Sequence, residues 1–493
     1  MTFNPADLGW ISPYLILAGV GMVLVLAEAF YKGKDRTALA GLAVAGSLAA
    51  AVASIVLYRQ LGPNETHYVF LDPKGGAMLV GDHLAYVLTA LFSLTTAATA
   101  LISPAHQREH DWQIGEYYGL LLLSASGMVI LAQAASLVTV FLGVESMSIG
   151  VYVMTAMRRT SRRGNEAAMK YFLIGAFATG FLLYGMALIY GASGTLSFVK
   201  MPEALARTSN PGLVIAGAFL LVVAFGFKVA AVPFHMWAPD AYEGAPTPVT
   251  GFMAAAVKAA AIAAMIRLFG QALGGDILPY GTLGWASPLV VIAALTITIG
   301  NISAIRQDNF KRMLAYSSIS HAGVLLVGLC AMGLGGSSSE SAIVYYLIAY
   351  SVTTMGAFAI VSYVGSKGKE RLMVDDWAGL ATQHPGAALA MTICLLSLGG
   401  IPPTGGFFGK FYIFKSAMEV YDGQLLWLVI IGIVNSAISI YYYLRIVTAM
   451  YFREPTAPLA PTRSPGLLFV IALVPLLVLE LGIMPGWWMK LVG

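Results

Sequence analysis

Three lysines stand in runs that are otherwise apolar: Lys228 in "FGFKVAAVPFHMW", Lys258 in "GFMAAAVKAAAIAAM" and Lys410 in "GGFFGKFYIF". An ammonium at the centre of a bilayer costs about 2.5–3.5 kcal/mol on insertion scales, so three of them need a reason. Lys170, Arg267 and Arg445 also fall in apolar runs. The two arginines lie toward span ends, where snorkelling or a structural ion pair accounts for them. Glu145, in "VFLGVESMSIGVYVM", is a carboxylate in the same setting. Isolated there it would be protonated or paired, and Lys228, Lys170 or Arg267 on a neighbouring helix is a possible partner. In "AYSSISHAGVLLVG", Ser317 and His321 are four residues apart and so share a helix face. Tyr316, Ser318 and Ser320 add hydroxyls; the set reads either as a polar relay or as a histidine with a satisfied neighbour. Buried ionisable groups hold their charge less firmly than in water, and an ion pair that opens and closes can move a proton along such a series.

Two of the lysines sit beside helix breakers. Pro233 lacks an N–H and clashes with the carbonyl of Val229, so the seventh span should break next to Lys228, with His235 in the interruption. The twelfth span reads "LSLGGIPPTGGFFGKFYIF", and Pro402, Pro403, Gly405 and Gly406 interrupt it just before Lys410. Irregular backbone at membrane depth is tolerated only inside protein or beside water, and broken helices mark ion pathways in transporters. Lys258 is set among Ala254, Ala255, Ala256, Ala259, Ala260 and Ala261. Small side chains leave room for water around the ammonium or permit close helix packing; the sequence leaves both open.

The elements that must hold these groups are transmembrane helices. Of the 493 residues 58% are hydrophobic and 11% charged, against about 25% charged in soluble domains. The expected fold is an all-α polytopic membrane protein. Apolar windows give about fourteen spans: Trp10–Phe30, Ala38–Tyr58, Ala77–Ser103, Tyr117–Ala134, Ser136–Met157, Glu166–Tyr190, Pro211–Val232, Thr247–Phe269, Ala286–Ile305, Phe310–Leu334, Ser341–Gly365, Ala387–Ala417, Leu425–Tyr451 and Ser464–Gly486. Discontinuous seventh and twelfth spans suggest two inverted five-helix repeats, 116–270 and 285–452, after an N-terminal segment 1–115 and before a last helix 464–486, all within one membrane domain. Lys and Arg concentrate in odd-numbered loops such as "YKGKDRT", "MRRTSRRGN" and "RQDNFKR". By the positive-inside rule those loops face the cytoplasm and both termini the opposite side. Glu28 and Glu480 lie in spans and read as contacts to another subunit or to lipid-side structure. Cys330 and Cys394 read as core packing. There is no P-loop, HExxH, CxxC or dinucleotide fingerprint, so no metal or redox cofactor is expected in this chain, and no basic run suggests nucleic acid.

The stretches "GVESMS", "AAMKYFLIGAFATGFLLYGMALIYGASGT", "FKVAAVPFHMWAPDAYEGAPTPVTGF" and "NFKRMLAYSSISHAGVLLVG" closely resemble the antiporter-like (Mrp-type) membrane subunits of respiratory complex I, NADH:quinone oxidoreductase. The resemblance covers about residues 10–485. A lysine at 410 points away from the M branch, which carries a glutamate there. The lack of a long amphipathic helix after Gly486 points away from the L branch and leaves the N branch. The resemblance implies fourteen helices with two inverted repeats. It implies that Glu145 pairs with Lys228, that Lys258 is the central lysine, and that Lys410 ends the relay. Lys170 matches a family lysine, and His321 fits between Lys258 and Lys410.

The implied function is proton translocation coupled to electron transfer in other subunits. NAD, FMN, iron–sulfur clusters and quinone would then belong to partner chains. Those partners would be other antiporter-like subunits and the small subunit K, with lipids around them, in a bacterial inner membrane. A multisubunit sodium/proton antiporter or a membrane-bound hydrogenase is the alternative built on the same repeat. An inert scaffold for neighbouring subunits is a third reading.

Overall fold

In a bilayer every backbone polar group must find its partner within the protein, so apolar runs of this length fold as helices. A computed structural model describes all residues except 1–3, 34, 73–74, 275–284, 366–367, 369, 421–422, 456–457 and 493. The expected junction between the two repeats, 271–284, lies mostly outside the described residues, as do Lys34, Lys74, Lys367 and Lys369 of the loop-charge pattern.

The principal helices, in chain order, begin with α1 (Ser12–Phe30), α2 (Thr37–Gln60), α3 (His83–Glu109), α4 (Glu116–Ala132), α5 (Leu137–Thr155) and α6 (Arg162–Ser193). They continue with α7 (Pro211–Lys228), the short α8 (Trp237–Gly244) and α9 (Thr247–Ala272). Then come α10 (Ala286–Ile305), α11 (Phe310–Gly333), α12 (Ser339–Val364), α13 (Pro385–Gly399), α14 (Gly405–Met418), α15 (Leu426–Phe452) and α16 (Pro465–Ile483). Twelve of the described helices are long and apolar enough to cross a membrane; α4 and α13 are shorter apolar helices. Polar side chains close helix N-termini at the loops. Asp82, Ser136, Ser161, Asn309 and Ser464 each accept a backbone N–H from the first turn of the helix that follows.

The helices form a core and a rim. In the apolar windows of α9, α11 and α12, 100%, 94% and 94% of residues are buried, against 22% in α1 and 33% in α6. The three enclosed helices carry Lys258, the Ser317–His321 face and a row of tyrosines. The rim helices turn residues such as Phe30, Phe177 and Phe452 outward. α9 is not regular: π-helical turns at Met253–Val257 and Ile266–Ala272 flank its central turns, so Lys258 directly follows a widened turn of the kind frequent at functional sites.

Two boundaries change in detail, and the expected interruption of the twelfth span is observed. The third span starts at His83 rather than Ala77, because Leu79–Gly81 is a strand paired antiparallel with His67–Val69, and the Asp82 side chain caps the helix after it. Among the described residues the fold is therefore helical with one small two-stranded sheet. The seventh span ends at Lys228 rather than Val232. The chain then runs irregularly through Pro233 and resumes as α8, with Ala230 in the left-handed region at φ 59°, a conformation costing about 1–3 kcal/mol for a residue with a β-carbon. The twelfth span is two helices, α13 and α14, separated by 400–404, where Pro402 and Pro403 deny the backbone N–H groups a continuous helix needs.

Candidate proton-relay site

The cations within the helix bundle, buried or half-buried, fall into two classes. In the first, each charge meets a carboxylate. Arg267, 1% exposed, grips Asp82 with two bonds of 2.6 Å and also donates to the Ala132 carbonyl. Lys311 meets Glu370, Arg312 meets Asp240 and Glu243, and Arg445 meets Asp308. Guanidinium and carboxylate complement each other in shape, and these pairs tie helix ends together.

Lys228, Lys258 and Lys410 make up the second class. All three are buried, and among the described residues none has a carboxylate within ion-pairing distance. Lys228, at the end of α7, donates to Ser148 Oγ at 2.8 Å and to Tyr152 OH at 3.2 Å on α5. Its ammonium also lies 5.6 Å from the centre of the Tyr152 ring. Lys258 donates to both the carbonyl and the hydroxyl of Ser318 on α11. Lys410 donates to the carbonyls of Leu398 and Gly399, at 3.0 and 3.3 Å. Those carbonyls are in the last turn of α13 and lack helical partners because the helix stops there, so the break itself makes the lysine's cradle.

Hydroxyls extend outward from Lys258. Ser318 Oγ also meets Tyr242 OH at 3.2 Å and accepts from Tyr350 at 2.8 Å. His321 shares hydrogen bonds with Tyr346 and, at 3.2 Å, with Tyr443, whose hydroxyl also meets Ser317. A small cavity touches His321, Lys410, Asn301, Ser439 and Tyr442; a second touches Lys228 and Thr179. Each has room for about one water.

The expected pairing of Glu145 with Lys228 is absent. Glu145 Oε1 accepts instead from Thr179 Oγ1 at 2.6 Å on α6, and Thr179 shares a small cavity with Lys228. Helix geometry explains this, because Ser148 and Tyr152 lie three and seven residues beyond Glu145, on the same face, and take the ammonium first. Lys170 departs from its expected relay place. It is 44% exposed and bonded to Glu166 and Asp240 at 2.6 and 2.9 Å rather than to a tyrosine hydroxyl. Arg267 pairs with Asp82 rather than Glu145, and Glu28 Oε1 accepts from Arg36 at 2.6 Å. His235 is half-buried in the break with Pro233, and its Nδ1 has no partner. Pro402 and Pro403 sit in the second break.

The tyrosines were missed by sequence reasoning. Tyr242, Tyr346, Tyr350 and Tyr443 bring hydroxyls from three other helices to the α11 face, and no local pattern announces which face each occupies.

The family model for "NADH:quinone oxidoreductase/Mrp antiporter, TM" matches residues 134–439. The chain is 43% identical to NADH-quinone oxidoreductase subunit N 1 of Sorangium cellulosum, with 96% of each chain covered. It is 44% identical to NADH-quinone oxidoreductase subunit N of Trichlorobacter lovleyi, over 92% of this chain and 89% of that one. Among solved structures it is similar to a chain of respiratory complex I from Thermus thermophilus, at 31% identity, TM-score 0.79, and 98% and 100% coverage. It is also similar to a chain of the Mrp complex from Dietzia sp., at 21% identity, TM-score 0.83, and 99% and 96% coverage, which speaks to the fold alone.

Proposed function

Because this chain belongs to the NADH:quinone oxidoreductase/Mrp antiporter family, we propose that it carries protons across the membrane, as a subunit of the N type in NADH-quinone oxidoreductase, along Glu145, Lys228, Lys258, His321 and Lys410. The observation that carries the reading is the contrast between the two classes of cation. An uncompensated buried ammonium costs several kcal/mol. The structural cations of this fold are paired with carboxylates; these three lysines are held only by hydroxyls and carbonyls. Such groups accept hydrogen bonds from an ammonium and hydrogen-bond to a neutral amine as well, so each site tolerates both protonation states.

A proton would pass from the Glu145–Thr179 pair across the first cavity to Lys228. From Lys258 it would move through Ser318 and the tyrosine hydroxyls to His321, and across the second cavity to Lys410. Loss of a proton from one lysine lowers the electrostatic cost of charging the next, which couples the steps. The fourteen crossings, the inverted repeats 116–270 and 285–452, and the segments 1–115 and 464–486 belong to the same reading. So do cytoplasmic odd-numbered loops, periplasmic termini and a bacterial inner membrane. NAD, FMN, iron–sulfur clusters and quinone reside in partner subunits. This chain docks with antiporter-like subunits and the small subunit K among lipids.

The test is Lys258→Ala in the assembled complex, reconstituted in vesicles. The reading requires proton pumping and coupled NADH:quinone turnover to collapse while the complex assembles. Pumping at the unmodified rate would leave this chain a scaffold.

A further inference from the structure

A second buried ionisable cluster lies outside the relay. Glu370, in the connection after α12, reaches three helices. It bonds His106 Nε2 of α3 at 2.9 Å, and it accepts from Thr247 Oγ1 in the first turn of α9 at 2.8 Å and from Lys311 Nζ in the first turn of α11 at 3.2 Å. His110 lies one turn beyond His106, with the ring centres 4.3 Å apart, and its buried Nδ1 has no partner. Of these groups, His106 and Glu370 line a pocket of about 150 Å³ that also touches Arg158, Ser161, Arg163 and Glu243, with His110 and Lys311 behind them.

Two ligand chemistries suit such a cluster, a divalent cation or a proton. Ligand atoms of His106, His110 and Glu370 lie within 4.8 Å of one another. However, Trp112 Nε1 donates to His106 Nδ1 at 3.2 Å. That puts the imidazole hydrogen on Nε2, facing Glu370, so His106 offers no free lone pair. The Lys311 ammonium on the same carboxylate adds repulsion to a cation. The geometry favours protons.

The cluster also leads somewhere. Glu370 is bonded to the first turns of both helices that carry the central relay. Lys311 donates its other bond, 2.7 Å, to the Ala245 carbonyl. The pocket wall Glu243–Gly244–Ala245–Pro246 continues directly from Tyr242, whose hydroxyl meets Ser318, the acceptor of Lys258. Thr250 Oγ1, one turn into α9, donates to the Tyr242 carbonyl at 3.0 Å.

Resting on the proton-translocation reading, we propose that the Glu370 pocket is the aqueous port through which Lys258 is reloaded, with the Glu370 carboxylate attracting the proton, His106 and His110 flanking it, and Tyr242 leading inward. One proton leaves a water or buffer acid, which is left as its conjugate base, and ends as the third N–H of the Lys258 ammonium; no other reactant is needed. Glu370 suits an attracting rather than a carrying role. Burial pushes its carboxyl up, yet the Lys311 ammonium and the His106 N–H hold it well below the usual carboxylate range, so it stays charged. The charged groups facing it are Lys311, His106, His110 and, across the pocket, Arg158, Arg163 and Glu243.

The experiment compares Glu370→Ala, Glu370→Gln, His110→Gln and Lys258→Ala in the whole complex reconstituted in vesicles. Proton pumping is read against pH, with and without imidazole or formate as small proton carriers. His110→Gln removes no hydrogen bond from the Glu370 tripod and guards against loss of folding. The port requires the Glu370 and His110 variants to slow pumping about tenfold, more at alkaline pH, with most of the loss in Glu370→Ala restored by the carriers and none restored in Lys258→Ala. Pumping at the unmodified rate in the His110 and Glu370 variants overturns the port, as does a loss indifferent to pH and carriers, the signature of a latch. If Lys258→Ala pumps normally, the translocation reading itself falls; if only the port variants behave normally, the port falls alone.

Discussion

Lys410 donates to the carbonyl of Leu398, twelve residues earlier in the chain, at 3.0 Å. The contact exists because α13 stops at Gly399 and leaves its terminal carbonyls without helical partners. A broken helix and a buried cation thus satisfy one another, and removing either half exposes the other.

Replacing Lys410 should therefore silence transport at a modest cost in stability, about 1–3 kcal/mol for the carbonyls left without a donor. Lys410→Met keeps the length and apolar bulk of the side chain, and coupled pumping in reconstituted vesicles should fall about a hundredfold. Lys410→Arg should not rescue it. The planar guanidinium does not reproduce a compact ammonium between two adjacent carbonyls, and it does not release its proton. Pumping sustained by the arginine variant would show that only a fixed positive charge is needed.

Ser318 is the shared acceptor of Lys258, Tyr350 and Tyr242. Ser318→Ala leaves Lys258 its carbonyl partner and removes the hydroxyl. A hydrogen bond to a charged group is worth about 1.5–3 kcal/mol. Turnover should drop by about one to two powers of ten, with Tyr242→Phe intermediate. Equal activity of Ser318→Ala and the parent would remove Ser318 from the path.

The paired cations should behave in the opposite way. Breaking the Arg267–Asp82 pair leaves an unpaired buried charge and costs about 3–5 kcal/mol. Asp82→Ala should lower the thermal midpoint of the purified complex and the amount assembled, whereas Lys258→Met should leave both nearly unchanged or higher. Equal losses in the two variants would erase the distinction between the cation classes.

Acid should loosen the connection after α12. Burial and the neighbouring His106 lower the His110 pKa to about 4, below its ordinary value of 6.5. The unfolded state thus binds more protons between about pH 4 and 6.5, and stability falls as pH drops through that window. Glu370, also depressed, adds stability that is present above the ordinary carboxylate range and lost in stronger acid. The thermal midpoint should decline from pH 7 toward pH 5, and His110→Gln should flatten that slope. An unchanged slope in the variant would assign the effect elsewhere.

Much of this architecture was legible along the chain because hydropathy and proline act locally. The tenth span was expected at Phe310–Leu334 and is observed at Phe310–Gly333. Pro402 and Pro403 marked the gap between α13 and α14, since two adjacent residues without an N–H, followed by Gly405 and Gly406, deny a helix its hydrogen bonds over a whole turn. The start of α3 was misplaced because Leu79–Gly81 is as apolar as a helix end and only its pairing with His67–Val69 makes it a strand.

By itself the sequence determined that the chain crosses a membrane many times, that three lysines are carried into its apolar interior, and where two helices break. Tertiary structure alone decided which charge meets which. Asp82 and Arg267 are 185 positions apart yet bonded, while Glu145 turns to Thr179 instead of Lys228. That a charge is carried into an apolar span is read from the residues beside it, although which way it faces is not: Lys170 ends 44% exposed. The partner of a charge is set by how distant helices pack and rotate against one another, and the energy of that choice is absent from any local window.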